Sequence, residues 1–297
     1  MRITFNSHYR DAQAGLETAS EQLVDLQRQV ATGKRINRPS DAPADAASAI
    51  TERAALASVE HFERTADSVA ARLAIVDSAL SDIIERITEA SAAVASVRGS
   101  GKSAAQQEAA ASQLASVRDT IISDLNSSFR GAYLFGGTES SGRPFTTDGT
   151  GTATYEGNGD EAAVDVSGAR AVTVAFDGRD VTQGSDATDL LAVLADLITA
   201  ARTGDQATLE DGAAALTRAL ERSTQVQARV GSAIASIDVE KVRLQQDHLA
   251  GTTRVAALEN ANMAEVISGM AQADAAYRAA LGAIGTAGRV SLMDYLK

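Results

Sequence analysis

The chain should fold as a mainly α protein: an elongated antiparallel helical bundle or coiled coil drawn from both chain ends, with a small antiparallel β insertion domain in the middle. Three observations predict this. Apolar residues recur at alternating steps of three and four in segments near both ends, which on a helix makes one narrow packing seam. A single stretch between them is rich in Gly, Thr and Asp, with short β-branched runs, the pattern of strands and turns. With only 4% aromatic residues and no tryptophan in 297 residues, slender helical packing suits the chain better than a deep globular core.

The first seam is Leu16, Ala19, Leu23, Leu26 and Val30, closed by Gly33 as a helix-ending residue. A turn-rich link follows, Gly33-Lys34-Arg35-Ile36-Asn37-Arg38-Pro39-Ser40-Asp41-Ala42-Pro43. Each proline holds the residue before it out of helical geometry. Ser40 or Asp41 can then cap the second helix, with Pro43 in its first turn. That helix, from about Ala44, carries the longest seam: Val69, Leu73, Val76, Leu80, Ile83, Ile87, Ala90, Val94 and Val97. Arg72, Asp77, Asp82, Glu85, Arg86 and Glu89 belong to its solvated face.

Gly99-Ser100-Gly101 breaks the pattern, and a third helix, about Ala104 to Phe129, places Leu114, Val117, Ile121 and Leu125 on one side, able to return antiparallel. Strand runs follow at Ala153–Tyr155, Val164–Val166 and Val172–Phe176, with Asn158-Gly159 and Asp177-Gly178 as turn signals between them. A short helix spans Leu190 to Ala201. From about Thr208 the seam resumes as Leu209, Ala213, Leu216, Leu220, Val230, Ile234, Ile237 and Leu244, interrupted by Ser223, Gln227 and Lys241. The last helix, about Val255 to Ile284, carries Met263, Val266, Met270, Ala273, Tyr277, Ala280 and Ile284. The expected division is 1–40 with 255–297 as a terminal helical part, 41–137 with 205–254 as a bundle, and 138–204 as the insertion.

Composition excludes several functions. A formal net charge of −12 argues against non-specific nucleic-acid binding, which needs a basic face to displace counterions, and equally against an anionic membrane surface. No window nears the length of a membrane span, and the N-terminus lacks the apolar core of a cleavable signal peptide. Without cysteine there is no disulfide and no thiolate nucleophile or ligand. Gly99-Ser100-Gly101-Lys102-Ser103 looks like a phosphate loop, but Ser96 stands where its first glycine belongs and a helix precedes it. His8, His61 and His248 share no metal-ligand spacing. No catalytic, cofactor or metal residues are expected. The seams favour packing, with Leu16, Leu23, Leu26, Val30, Met263, Val266, Met270, Tyr277 and Ile284 as candidate subunit contacts.

The link resembles the segment shared by flagellins and flagellar hook-associated proteins, on Gly33, Lys34, Arg35, Ile36, Asn37, Pro39, Ser40 and Asp41. Its Arg38-Pro39-Ser40-Asp41 form is more similar to the hook–filament junction branch of that family than to flagellin. So are Tyr133-Leu134-Phe135-Gly136-Gly137 with Arg143-Pro144-Phe145, and the tail Ser291-Leu292-Met293-Asp294-Tyr295-Leu296. The tail adds Leu292 and Tyr295 to the candidate contacts. The resemblance implies a structural subunit exported unfolded to the flagellum, outside the cell and without a cleaved signal, whose termini order on incorporation. It implies further copies in a ring, hook-associated protein 1 and flagellin as neighbours, and an export chaperone. A short flagellin, or a cytoplasmic coiled-coil scaffold, are the competing readings.

Overall fold

The computed structural model describes residues 5–99, 101–148, 153–168, 170–186 and 189–295, and the side chains of these except 5–9 and 286–295. Contacts divide the chain into two units, residues 1–58 with 247–297 and residues 59–246. Two helices run through both: α2 (Pro43–Val97) and α6 (Gln206–Glu259). The first unit also holds α1 (Phe5–Thr32) and α7 (Met263–Tyr295).

In the second unit α2 and α6 lie antiparallel. Gln227 reaches Asp77 and Ser81, Lys241 pairs with Asp67 at 2.7 Å, and Arg98 pairs with Glu210 at 3.1 Å. Every seam residue from Val69 to Val97 is buried. Leu209, Leu216, Val230, Ile237 and Leu244 answer from α6. The polar residues that interrupt this second seam are satisfied locally. Ser223 is fully buried and donates to Ala219 O at 2.9 Å, while Gln227 and Lys241 find the α2 partners just named. Arg72 is not on the solvated face: it is half-buried, and its Nε donates to Val174 O at 2.6 Å.

The Gly99–Ser103 segment is an inter-helix turn. Ser103 caps α3 (Ala104–Leu125), and Gln106 completes the capping box. α3 returns beside α2, Gln113 reaching Glu89 at 3.2 Å. It stops four residues before the expected Phe129, because Asn126 has a better use. Asn126 Nδ2 donates to Phe145 O at 2.9 Å and its Oδ1 accepts from Phe145 N at 3.0 Å, so the side chain acts as a strand partner. Beyond it, β1 (Ser128–Phe129) and β2 (Ala132–Tyr133) form a hairpin across Arg130 and Gly131, both at positive φ.

Two further antiparallel pairs complete the insertion: β3 (Phe145–Thr147) with β4 (Ala153–Tyr155), and β5 (Ala162–Ser167) with β6 (Arg170–Ala175). β3 was not anticipated: Phe145-Thr146-Thr147 directly follows Pro144 and carries no alternation of its own. Asp177-Gly178 is not a turn between strands. It opens a single helical turn, α4 (Arg179–Thr182), and Gly136 bridges to Asp177 across the layer. Glycine is required at Gly137, whose φ is +64° and where a Cβ would lie 2.3 Å from Asn158 Oδ1. Leu134, Phe135, Phe145, Val166, Val174 and Phe176 bury the insertion into the same core as the helices. α5 (Leu190–Thr203) is capped by Asp189 and stopped by left-handed Gly204, and packs on α3.

One group in this core is out of place. Asp124 lies in the last turn of α3, where the helix dipole disfavours an anion, and its Oδ2 is buried without a hydrogen bond. Burial, reinforced by nearby Asp82 and only partly offset by Arg86, pushes its pKa up to about 6. A folded pKa above the unfolded value of 3.8 means that ionisation opposes folding, and the penalty disappears as pH falls below the folded pKa. Asp124→Asn should therefore raise stability at pH 7.5 by about 1 kcal/mol, discounted for the solvent that still reaches the side chain. Thermal melts at pH 7.5 and pH 4 check this: the gain should shrink at the lower pH.

Candidate assembly surface

The link begins where α1 ends. Gly33 takes φ +69°, and its N–H still bonds Gln29 O at 2.8 Å. From there the backbone runs against the break between α6 and α7. Arg35 N donates to Glu259 O at 2.7 Å, Ala261 N donates to Gly33 O at 2.9 Å, and Lys34 and Asn260 form an antiparallel bridge. This break corrects the expected last helix. Val255–Glu259 finish α6, and α7 starts at Met263 with Asn262 Oδ1 accepting from Ala264 N at 3.2 Å.

Side chains lock the same junction. Glu259 is only 5% exposed, and Lys34 Nζ meets its Oε2 at 2.9 Å. Arg53 makes an ion pair with the other oxygen. Arg35 spans from Asp45 (2.7 Å) to Leu258 O (3.0 Å). Asn37 donates from Nδ2 to Lys34 O at 2.8 Å.

Asp41 does not cap α2, and nor does Ser40. With Pro43 as the first helical residue, Ala42 occupies the preceding position and accepts from Ala46 N. Asp41 instead turns back and accepts from the N–H groups of Asn37 (3.0 Å) and Arg38 (2.8 Å). Those bonds, Arg38's first, hold its carboxyl below its ordinary pKa. Ile36 is half-buried beside Ala46 and Ala49, while Pro39 and Ser40 are exposed. The link residues thus come together as one clamp. The sequence reading missed Glu259, Arg53 and Asn260; Asn260-Ala261-Asn262 was the available signal of a helix break.

Burial acts to raise the Glu259 pKa, but the hydrogen bonds from Lys34 and Arg53 outweigh it and hold the carboxyl below its ordinary value. A lowered folded pKa gives stability that is present above the unfolded value of 4.5 and lost as pH falls through the folded one. Hydrogen exchange should therefore show the amides of Arg35 and Ala261 losing protection between pH 5 and pH 3 while the α2 seam keeps its own. Glu259→Gln should loosen the clamp at pH 7 and flatten this pH dependence, costing about 1–3 kcal/mol locally.

The α1·α7 pair is the other half of the surface. The helices approach closely where Leu26 lies over Gly269, its Cδ1 3.6 Å from the position a Cβ would take. Ala19, Val266 and Ala273 are buried in the pair. Leu16, Leu23, Leu26, Val30, Met270, Tyr277 and Ile284 are half-buried, and Met263 is 38% exposed. The side chains of Leu292 and Tyr295 lie outside the described residues. Two helices alone can cover each seam from one side only, which is why these residues stay half-open while the α2 seam from Val69 to Val97 is buried throughout; on α6, Ala213, Leu220 and Ile234 are half-buried. Val24, Ile267 and Leu281 are 50%, 52% and 46% exposed on the same pair.

Fold and surface together define a protein that pairs its two terminal helices. Residues 3–140 match the family described as the bacterial flagellin N-terminal helical region. The chain is also 24% identical over 182 residues to flagellar hook-associated protein 3 of Salmonella typhimurium, a match covering 61% of this chain and 56% of that protein. The matched stretch is thus little more than half of the relative's length.

Among solved structures, FlgL of Xanthomonas campestris shares 16% identity with a TM-score of 0.63, over 69% of this chain and 99% of that one. A candidate flagellar hook-associated protein of Vibrio parahaemolyticus shares 16% identity with a TM-score of 0.69, over 74% and 99%. At these identities the likeness establishes the fold. The resemblance read from the link and tail motifs is borne out.

Proposed function

We propose that the chain is a non-catalytic structural subunit of the bacterial flagellum that joins the hook side to the filament. The observation that carries this reading is the half-open α1·α7 pair, held to the α6 end by a clamp built on the link motif. Apolar seams covered on one side only gain most of their stability when further helices cover the other. The similarity to flagellar hook-associated protein 3 supports the flagellum as the assembly that supplies those helices. Copies of the chain would meet side by side in a ring, with hook-associated protein 1 and flagellin above and below. Before export a chaperone would shield the C-terminal seam. The export route needs no cleaved signal, and the place of action is outside the cell.

Deleting the gene tests the proposal. Hooks should form, filaments should be missing, and flagellin should be shed into the medium. Normal filaments would overturn it, and loss of all secreted flagellin would favour a filament subunit instead.

A further inference from the structure

On α2, Arg64, Ser68 and Arg72 stand at steps of four and so line one face of the helix. The β1–β2 hairpin brings Arg130 to the same groove, its Nη1 3.5 Å from Ser68 Oγ and its guanidinium 5.1 Å from the centre of the Phe129 ring. Val69, Val164 and Val174 form an apolar floor. Among the described residues none of these three arginines has a carboxylate partner; Arg86, Arg98, Arg118, Arg179, Arg202 and Arg222 of the same unit do, and Arg143 and Arg170, which do not, stand apart from any such cluster. A chain with 39 acidic and 27 basic residues does not leave three guanidinium groups unpaired in one groove for want of carboxylates.

Arg130 adds an independent sign. It is the one described non-glycine residue at positive φ, 52°, in a two-residue hairpin turn where Asn, Asp or Gly fits with less strain. Strain kept at a surface side chain points to what the side chain does.

The same unit carries a matching acidic element. Glu156, Asp160 and Glu161 are exposed on the β4–β5 connection, and among the described residues none has an ion-pair partner. Its shape is preset: Asn158 Oδ1 accepts from Thr138 N at 2.9 Å, and the Tyr155 hydroxyl bonds Asn158 O at 3.0 Å. We infer that the arginine groove of one copy receives the acidic 156–161 turn of a neighbouring copy. Each copy carries both halves, so the contact is head-to-tail and repeats from copy to copy. It rests on the reading that copies meet side by side, and names a surface for that meeting.

Two charge-reversed full-length chains test it. One is Arg64→Glu with Arg130→Asp, Asp being tolerated at positive φ. The other is Glu156→Lys with Asp160→Lys and Glu161→Lys. In sedimentation at low salt, wild type should self-associate and lose most of this in about 0.3 M salt. Each variant alone should associate at least ~10-fold more weakly. Their equimolar mixture should re-associate, because the reversed groove of one variant meets the reversed turn of the other and the two unaltered halves still match. Matching melting temperatures establish that both variants fold.

A wild type without salt-sensitive association, or a mixture no better than its components, overturns the contact. Failure here alongside the filament-less deletion phenotype removes only this contact. A normal deletion strain removes the flagellar role, whatever the mixture does.

Discussion

A chain carrying Leu23→Asp or Val266→Asp should fold its middle normally yet fail to assemble, leaving cells with hooks and no filaments. Val266 is buried between α1 and α7, and Leu23 sits half-covered on the same seam. A carboxylate at either place must be desolvated when a further helix closes over the pair. Unpaired buried charge costs several kcal/mol, more than a two-helix pair can spare. Residues 59–246 form a separate unit, so their melting temperature should stay within ~2 °C of wild type. Circular dichroism of the purified variants and electron microscopy of the cells check the two halves of this result. A collapse of total helicity would mean that the terminal seams belong to the core.

The opposite dissociation is expected from Phe135→Ala. Phe135 is fully buried, its carbonyl accepts from Gly178 N at 2.9 Å, and a Cβ on Gly178 would lie 2.8 Å from that same oxygen. Such close backbone packing leaves little room to collapse into the void. The loss should reach about 3–5 kcal/mol, the upper range for a buried aromatic. For a unit of this size it should lower the melting temperature by roughly 10 °C, while hydrogen-exchange protection at the Arg35 and Ala261 amides remains.

Why the helices were legible and the junctions were not has a physical reason. A seam such as Val69 to Val97 repeats one requirement nine times, and periodicity survives any single exception. Ser223, Gln227 and Lys241 broke the α6 seam on paper only, because each finds a partner in place. Junctions depend on single long-range contacts. Nothing near Asn126 announces that its amide will stand in for a strand beside Phe145, and so α3 was read too long. Asp41 has the residue type of a cap, but Pro43 fixes the helix start one residue too late for it.

The link motif was visible as a motif. Its purpose was not, since the group it grips, Glu259, lies 225 residues from Lys34. Arg72 shows the same limit from the other side: its charge placed it in solvent, and a carbonyl on β6 drew it in. The half-open state of the terminal seams could not be read from spacing at all, because the same alternation describes a closed seam and an open one.

The position of the protein along the flagellum tests the central claim most directly. Gold-labelled antibody against the folded 59–246 unit, viewed by electron microscopy on intact flagella, should mark a single narrow band where hook meets filament. Label spread along the whole filament, or confined to the cell interior, would contradict the account.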